Sequence, residues 1–469
     1  METISSIVGS LSGFLYNPWV PVFLLCAGAF FTVITRGVQL RMLAESLRVV
    51  SETPRNLSSV SSFGALMTST ASRVGTGNIV GVSTAICLGG PGAVFWMWMT
   101  AILGGASAYV ESTLAQIYKR RDKDGSFYGG PSFYMESALG MRTLGVIFAV
   151  IVILTYAVGY NMLAAYNLQS SFVAFSFYDA SSSPIVLGAI IACAFGLSVL
   201  FGMKSITKIA SILVPLMSIL YIGVALVVMA MNIGNIPNMF VEIFRGAFDF
   251  EAIFGGFAGS ALMYGIKRGL YSNEAGMGSA PNAAASADVA HPATQGLVQM
   301  LSVFLDTIVI CSATAFMCMS TGIDADAKLA GIPYVQKALE SQFGSFGEVF
   351  IVVAMVLFAF TTLIGNYYYC EGCLKNITRN RVPRALLLVF RIAATVLVLV
   401  GSCISMGLAW DTADLLQAMM VIINIPVILI LWKPAVAALR DYERQRAAGK
   451  KPTFKAANIG LAGKTDCWN

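Results

Sequence analysis

Two glycine-rich polar stretches stand inside apolar sequence, one in each half of the chain, and their residue types permit ligand chemistry. The first reads Arg73-Val74-Gly75-Thr76-Gly77-Asn78-Ile79-Val80-Gly81 and the second Ser272-Asn273-Glu274-Ala275-Gly276-Met277-Gly278-Ser279-Ala280. A helix interrupted at mid-membrane ends its first half in free carbonyls, which attract a cation. Its second half starts with free amides and a partial positive charge, which attract a carboxylate. Gly75, Gly77, Gly276 and Gly278 allow the backbone geometry and close approach that a small ligand needs. Facing breaks of this kind could hold a zwitterion and a sodium ion together. The same glycines could also serve only as packing notches between helices.

Charges near the breaks need partners or a function. Arg73 sits at the first break, Glu274 within the second, and Glu111 and Asp306 lie in other apolar spans, while Lys267 and Arg268 precede the second break by about one turn. Glu274 or Asp306 could recognise a substrate ammonium or carry a coupling proton. An internal ion pair with Arg73 would instead fix the broken helices, and such pairing is the favoured expectation for Asp306, Glu111 and Glu274. His291 is the only histidine, which excludes His-based triads and multi-His metal sites. Cys370 and Cys373 have no second pair to complete a zinc site, and the nine cysteines fall mostly in apolar spans. No phosphate-binding loop appears, so energy must come from an ion gradient, or transport is passive. An enzyme is not expected, nor are an organic cofactor or a nucleic-acid partner.

The elements that position these residues are membrane spans. The chain of 469 residues is 57% hydrophobic and 12% charged, with a mean hydropathy of +0.75. Runs of about 20 apolar residues fall near 18–36, 61–88, 91–118, 143–172, 184–202, 207–232, 251–285, 294–318, 347–373, 385–405 and 412–432. That makes about 11 transmembrane helices of an all-α integral membrane protein. With the N-terminus outside, one side receives Arg36, Arg41, Arg48, Arg55, Lys119, Arg120, Arg121, Lys123, Lys204, Lys208, Lys375, Arg379, Arg381, Arg384 and a basic tail. The other side receives only Arg245, Lys328 and Lys337. This positive-inside bias puts the C-terminus in the cytoplasm. Met1-Glu2-Thr3 lacks a basic n-region, so no cleaved signal is expected. Residues 38–56 read as an amphipathic helix on the cytoplasmic face, 320–346 as an acidic external loop with a short helix, and 440–469 as a short soluble tail.

The first stretch, with Leu88-Gly89-Gly90-Pro91-Gly92-Ala93, Trp96-Met97-Trp98 and Tyr128-Gly129-Gly130-Pro131, resembles the alanine/glycine:cation symporter family, and so does the second stretch with Asp306-Thr307. The likeness runs from about residue 18 to Cys467-Trp468. Members of that family are bacterial and archaeal and couple Na⁺ or H⁺ movement to uptake of small neutral amino acids. The resemblance implies an amino-acid transporter type 5+5 inverted repeat with two broken helices and one extra N-terminal helix. Its parts would be 1–60 (N-terminal and amphipathic helices), 61–232 and 251–432 (the two repeats), and 433–469 (basic cytoplasmic tail).

The resemblance also implies a site. Sodium, the coupling ion, would meet the carbonyls of Ala71, Val74 and Phe358 and the hydroxyls of Thr361 and Thr362, unless those hydroxyls only bond back to their own helix. The substrate would meet Thr76, Gly77 and Asn78, the stretch Ser272, Asn273, Glu274, Gly276, Met277 and Gly278, and also Thr362, Gln169 and Asn366. Many members that resemble alanine carriers have Trp where Asn366 stands, and the smaller polar Asn makes glutamine or another polar amino acid a competitor to alanine. The expected activity is a sodium-coupled symporter of a small neutral amino acid, working by alternating access in a bacterial or archaeal cytoplasmic membrane. Proton coupling and a passive channel or facilitator are the alternatives.

Overall fold

The computed structural model describes residues 2–54, 56, 59–200, 203–249, 251 and 255–468. Arg55 and the ends of two expected spans, 201–202 and 252–254, lie outside them. Among the described residues nine helices are long and apolar enough to cross a membrane: Thr3–Ile34, Ala93–Ile117, Arg142–Ser170, Ser183–Leu200, Ser205–Met231, Pro292–Ser320, Ser345–Ile377, Arg384–Ser402 and Met406–Ile430. They match the expected spans closely; in the first, Trp19–Ile34 answers to the expected 18–36, and a further helix, Glu2–Tyr16, runs into it. Ile4, Ile7, Leu11 and Phe14 make one continuous exposed apolar face there, which explains the longer element.

Each of the two remaining expected spans is broken. The first runs Ser62–Arg73, a π-helical turn Gly77–Gly81, then Val82–Gly89; the second runs Ala261–Asn273 and resumes at Ala280–Ser286. Matching caps open them: Ser61 Oγ accepts from Gly64 N, and Ser260 Oγ from Met263 N. The broken helices are antiparallel. Val60, just before the first, bridges Ala287, just after the second, while Gly89, ending the first, packs on Tyr264 near the start of the second.

Burial sorts the remaining helices. Pro292–Ser320 is 72% buried over its most apolar window, against 22% for both Ser183–Leu200 and Arg384–Ser402. The broken pair therefore sits among Ala93–Ile117, Pro292–Ser320 and Ser345–Ile377, with the lipid-facing helices outside.

Two readings of the flanks need correction. The 38–56 stretch is not one helix but Val38–Arg41 and Leu43–Val50, divided at Met42. Nor is the tail free: Trp432–Ala447 is a helix, Phe454 N donates to Ala290 O, and Ala456 N donates to Trp468 O. Trp468 Nε1 donates to Gln116 O at 2.7 Å. Aromatic anchoring of Phe454 and Trp468, edge-on at 5.4 Å, holds a segment whose polar composition read as solvated. The 320–346 stretch does contain a helix, Ile332–Phe343.

Candidate substrate and cation site

The first half-helix ends at Arg73, and Val74 leaves helical geometry with ψ 88°. Asn78 Oδ1 reaches back to accept from Gly75 N at 2.8 Å, satisfying one of the amides that a break leaves open. Glycine is required by the approach of neighbours. A side chain on Gly75 would run into the Thr362 hydroxyl, and one on Gly77 would meet the Tyr271 ring at 2.9 Å. Packing and ligand access thus share the same glycines.

The structure separates the two threonines. Thr361 Oγ1 donates within its helix toward Leu357 O and Phe358 O, both at 3.0 Å, and lies 3.5 Å from Met217 Sδ. Thr362 Oγ1 donates to Phe358 O at 2.8 Å while facing Gly75. Gly365 on the same helix presses on the Ala71–Ser72 backbone. The residues expected around sodium, Ala71, Val74, Phe358, Thr361 and Thr362, are all buried, and Thr362 is the hydroxyl brought to the break.

The second break is a pinned loop. Glu274, Gly276 and Gly278 have φ of 56°, 84° and 84°, left-handed geometry that suits glycine and strains Glu274. Gly276 N donates to Glu111 Oε1 at 3.3 Å, and Asn424 Nδ2 donates to Glu111 Oε2 and Gly276 O, each at 2.9 Å. Asn273 Oδ1 accepts from Ala275 N at 3.0 Å. Tyr160 Oη donates to Gln417 Oε1 at 2.6 Å and lies 3.6 Å from Met277 Sδ.

Side chains tie the breaks together. Ser272 Oγ and Asn78 Nδ2 donate to Asp306 at 2.8 and 2.7 Å, and Thr307 Oγ1 donates to it at 2.9 Å. Glu274 accepts from Ser279 Oγ at 2.7 Å and lies 3.9 Å from Arg73 Nε. The expected ion pairing therefore holds for Glu274 but not for Asp306 or Glu111, whose hydrogen-bond partners are neutral groups. Neutral donors from neighbouring helices reach these two carboxylates, while the Arg73 guanidinium is directed toward Glu274 and, through Nη1, to Gln299 O at 3.3 Å.

On the side away from the basic loops the site is closed. Tyr271 Oη lies 3.3 Å from Thr76 Oγ1, and the Tyr271 ring packs edge-on against Tyr160 at 4.7 Å and Trp410 at 5.0 Å. Arg268 lies 3.8 Å above Trp410, and Arg268 and Lys267 both bind Asp414, at 2.8 and 2.9 Å. Toward the basic loops a cavity of about 560 Å³ opens among Asn56, Gly64, Asp124, Thr207 and Lys208. A neighbouring one of about 390 Å³ shares Val60, Thr207 and Ser286 and reaches Asn282, Tyr368 and Gly372. On the opposite side a cavity of about 520 Å³ among Ile86, Asn235, Glu242 and Tyr334 is lined by none of the expected site residues.

Asn366 Oδ1 accepts from Ser72 Oγ at 2.6 Å, and its Nδ2 donates to Asn161 Oδ1 at 2.9 Å. Ser72 Oγ also lies 3.0 Å from Glu274 Oε1. Gln169 is not in this group: it accepts from Tyr178 Oη at 2.9 Å, about 12 Å along the helix from Asn161 at 1.5 Å per residue. Sequence reasoning missed Asn161, Asn424, Gln417 and Asp414. Each is a polar residue inside an apolar span, which was the available signal.

The model of the sodium:alanine symporter family matches residues 1–456. The chain belongs to the sodium:alanine symporter family. It is 42% identical over 470 residues to the probable sodium/glutamine symporter GlnT of Bacillus subtilis (strain 168), covering 100% of this chain and 96% of that one. It is 39% identical over 483 residues to that organism's putative sodium/proton-dependent alanine carrier protein YrbD, covering 99% and 98%. Among solved structures it resembles an Eremococcus coleocola manganese transporter mutant, with a TM-score of 0.54 and 14% identity over 86% of this chain and 81% of that one. That likeness concerns the fold alone. Membership makes this symporter a multi-pass membrane protein for cation-coupled amino-acid transport, not an enzyme.

Proposed function

We propose that this family member is a sodium-coupled symporter that imports a small neutral amino acid of the alanine and glycine class by alternating access. The observation that carries the reading is the meeting of Thr362 with Gly75, where the first half-helix has just released its carbonyls. Hard oxygen ligands from Ala71, Val74, Phe358, Thr361 and Thr362 suit a small monovalent cation as they suit other hard cations. Such an ion would order the first broken helix against Ser345–Ile377. The amino-acid headgroup would then lie between the Thr76–Asn78 and Ser272–Gly278 stretches.

The basic side is taken as cytoplasmic, with the N-terminus outside and the C-terminus inside. On that orientation the two cavities toward the basic loops form the inner vestibule, and the Tyr271–Trp410–Arg268 layer is the closed outer gate over the breaks. Closure on one side argues for a carrier over a continuous channel. Saturable uptake against a concentration gradient, driven by imposed sodium, tests this; flux that only follows the substrate gradient would make the protein a facilitator.

Two specific observations favour second readings. Glu274 shares Ser72 Oγ with Asn366, and one hydroxyl has one proton for two acceptors, so a proton carried on Glu274 is the alternative coupling ion. Asn366, where many members that resemble alanine carriers have Trp, favours glutamine or another polar substrate. Uptake of alanine, glycine and glutamine into proteoliposomes, with sodium and proton gradients imposed separately, decides both.

A further inference from the structure

We propose that Asn161 and Asn366 form a pole that selects amino acids carrying a side-chain primary amide, glutamine above all. This rests on the reading that the breaks hold an amino-acid headgroup, and of the two substrate readings above it takes the polar one over alanine and glycine. Asn161 is 1% exposed and follows the π-helical turn Leu154–Tyr160; π-helical turns often mark functional positions. Its Oδ1 accepts from Asn366, yet its Nδ2 is buried with no partner. A buried amide donor left unpaired is costly, and native proteins rarely leave one so.

The surroundings define what fits. Contacts run from Glu274 through Ser72 and Asn366 to Asn161, crossing from the second break to the far wall. One turn toward the basic side, Tyr156 and Tyr369 pack edge-on at 5.1 Å, their buried hydroxyls turned toward Glu274 and Ser279 and toward Ser72. A primary amide both accepts and donates. Its carbonyl would accept a hydrogen bond from Asn161 Nδ2, and its NH₂ would donate to the second lone pair of Asn161 Oδ1. A methyl side chain would leave Nδ2 unpaired. A carboxylate would share a buried site with Glu274, which lies beyond Ser72 and Asn366, and like charges repel strongly where water is excluded. Glutamate is thereby rejected by charge and alanine by lost hydrogen bonding, and a site built around a polar contact discriminates strongly against analogues lacking it.

The test is competitive uptake of glutamine, asparagine, alanine and glutamate by the full-length chain in proteoliposomes under a sodium gradient. Each preparation gives a glutamine-to-alanine ratio that does not depend on how much protein folded. The ratio should favour glutamine about tenfold or more in the unaltered protein, with glutamate excluded, and Asn161→Leu should lower it about tenfold. If Asn161→Leu gives no transport, Asn161→Ser and Asn366→Trp read the same ratio and should also lower it. An unaltered protein that prefers alanine, or a ratio untouched by these substitutions, overturns the proposal and leaves a buried water as the Asn161 partner. Absence of sodium-driven uptake of any amino acid would instead sink the transport reading itself.

Discussion

The two breaks look alike in sequence and are built differently. The first is brief: Val74 and Gly75 interrupt the helix, and Gly77 already begins the next turn. Its backbone is held by its own Asn78 and by close packing against Thr362 and Gly365 of one neighbouring helix. The second is a loop from Glu274 to Ser279 with three left-handed residues, fastened by Glu111 and Asn424 from two other helices. The difference teaches a division of labour. The second break is a fixed wall, whereas the first meets the Ser345–Ile377 helix at Thr362 and Gly365, the contact at which the proposed cation would act.

Removing the fastening should have the largest effect. Glu111→Ala leaves Gly276 N–H and one of the two Asn424 Nδ2 N–H groups unpaired, at about 1–3 kcal/mol each, and the thermal unfolding temperature in detergent should fall steeply. A Tm close to that of the unaltered protein would mean the second break is not pinned as described. Gly278→Ala comes next. Its φ of 84° and contacts at 2.8–2.9 Å with Pro131, Asn424 and Phe148 cost about 2–4 kcal/mol together. Gly75→Ala, by contrast, meets a hydroxyl that can turn away, so it should lose sodium stimulation with a smaller drop in Tm. Equal losses of stability at Gly75 and Gly278 would erase the contrast.

Thr362→Ala should be milder still, below about 1.5 kcal/mol because only one neutral hydrogen bond is lost, while sodium dependence disappears. The smallest effect lies away from both breaks, in the docked tail. Burial holds the His291 imidazole down to about 4, although Asp441 at 3.3 Å pulls it upward. A depressed histidine stays neutral when folded, whereas the unfolded chain takes up a proton below about 6.5. Stability from this contact is therefore complete above pH about 6.5 and declines as pH falls toward about 4. Protease nicking of the tail should rise through that window, and His291→Gln should flatten the rise; a pH profile unchanged by the substitution would remove His291 from the docking.

Much of this was legible in the sequence because membranes impose simple rules. Span length, the Lys and Arg bias and the paired Gly-X-Gly breaks are local signals, and they located the bundle and its centre. What escaped depended on distant partners. Asn161 carries no mark that it will meet Asn366, 205 positions away, and Glu111 shows its charge but not that Gly276 and Asn424 will share it. Ile4 to Phe14 give no run of apolar residues because small and polar residues alternate with them, and the tail's polar composition hides the two aromatic residues that dock it. Gln169 was placed by likeness, and geometry sets it at the far end of its helix.

One measurement reaches the centre of this account: amino-acid binding to the purified protein, titrated at several sodium concentrations, for the unaltered chain and Thr362→Ala. Linkage requires sodium and amino acid to raise each other's affinity by one common factor. The account predicts a factor well above one in the unaltered protein, equal in both directions, collapsing to one in Thr362→Ala while the protein stays folded. Amino-acid affinity independent of sodium in the unaltered protein, or coupling that survives Thr362→Ala intact, would contradict it.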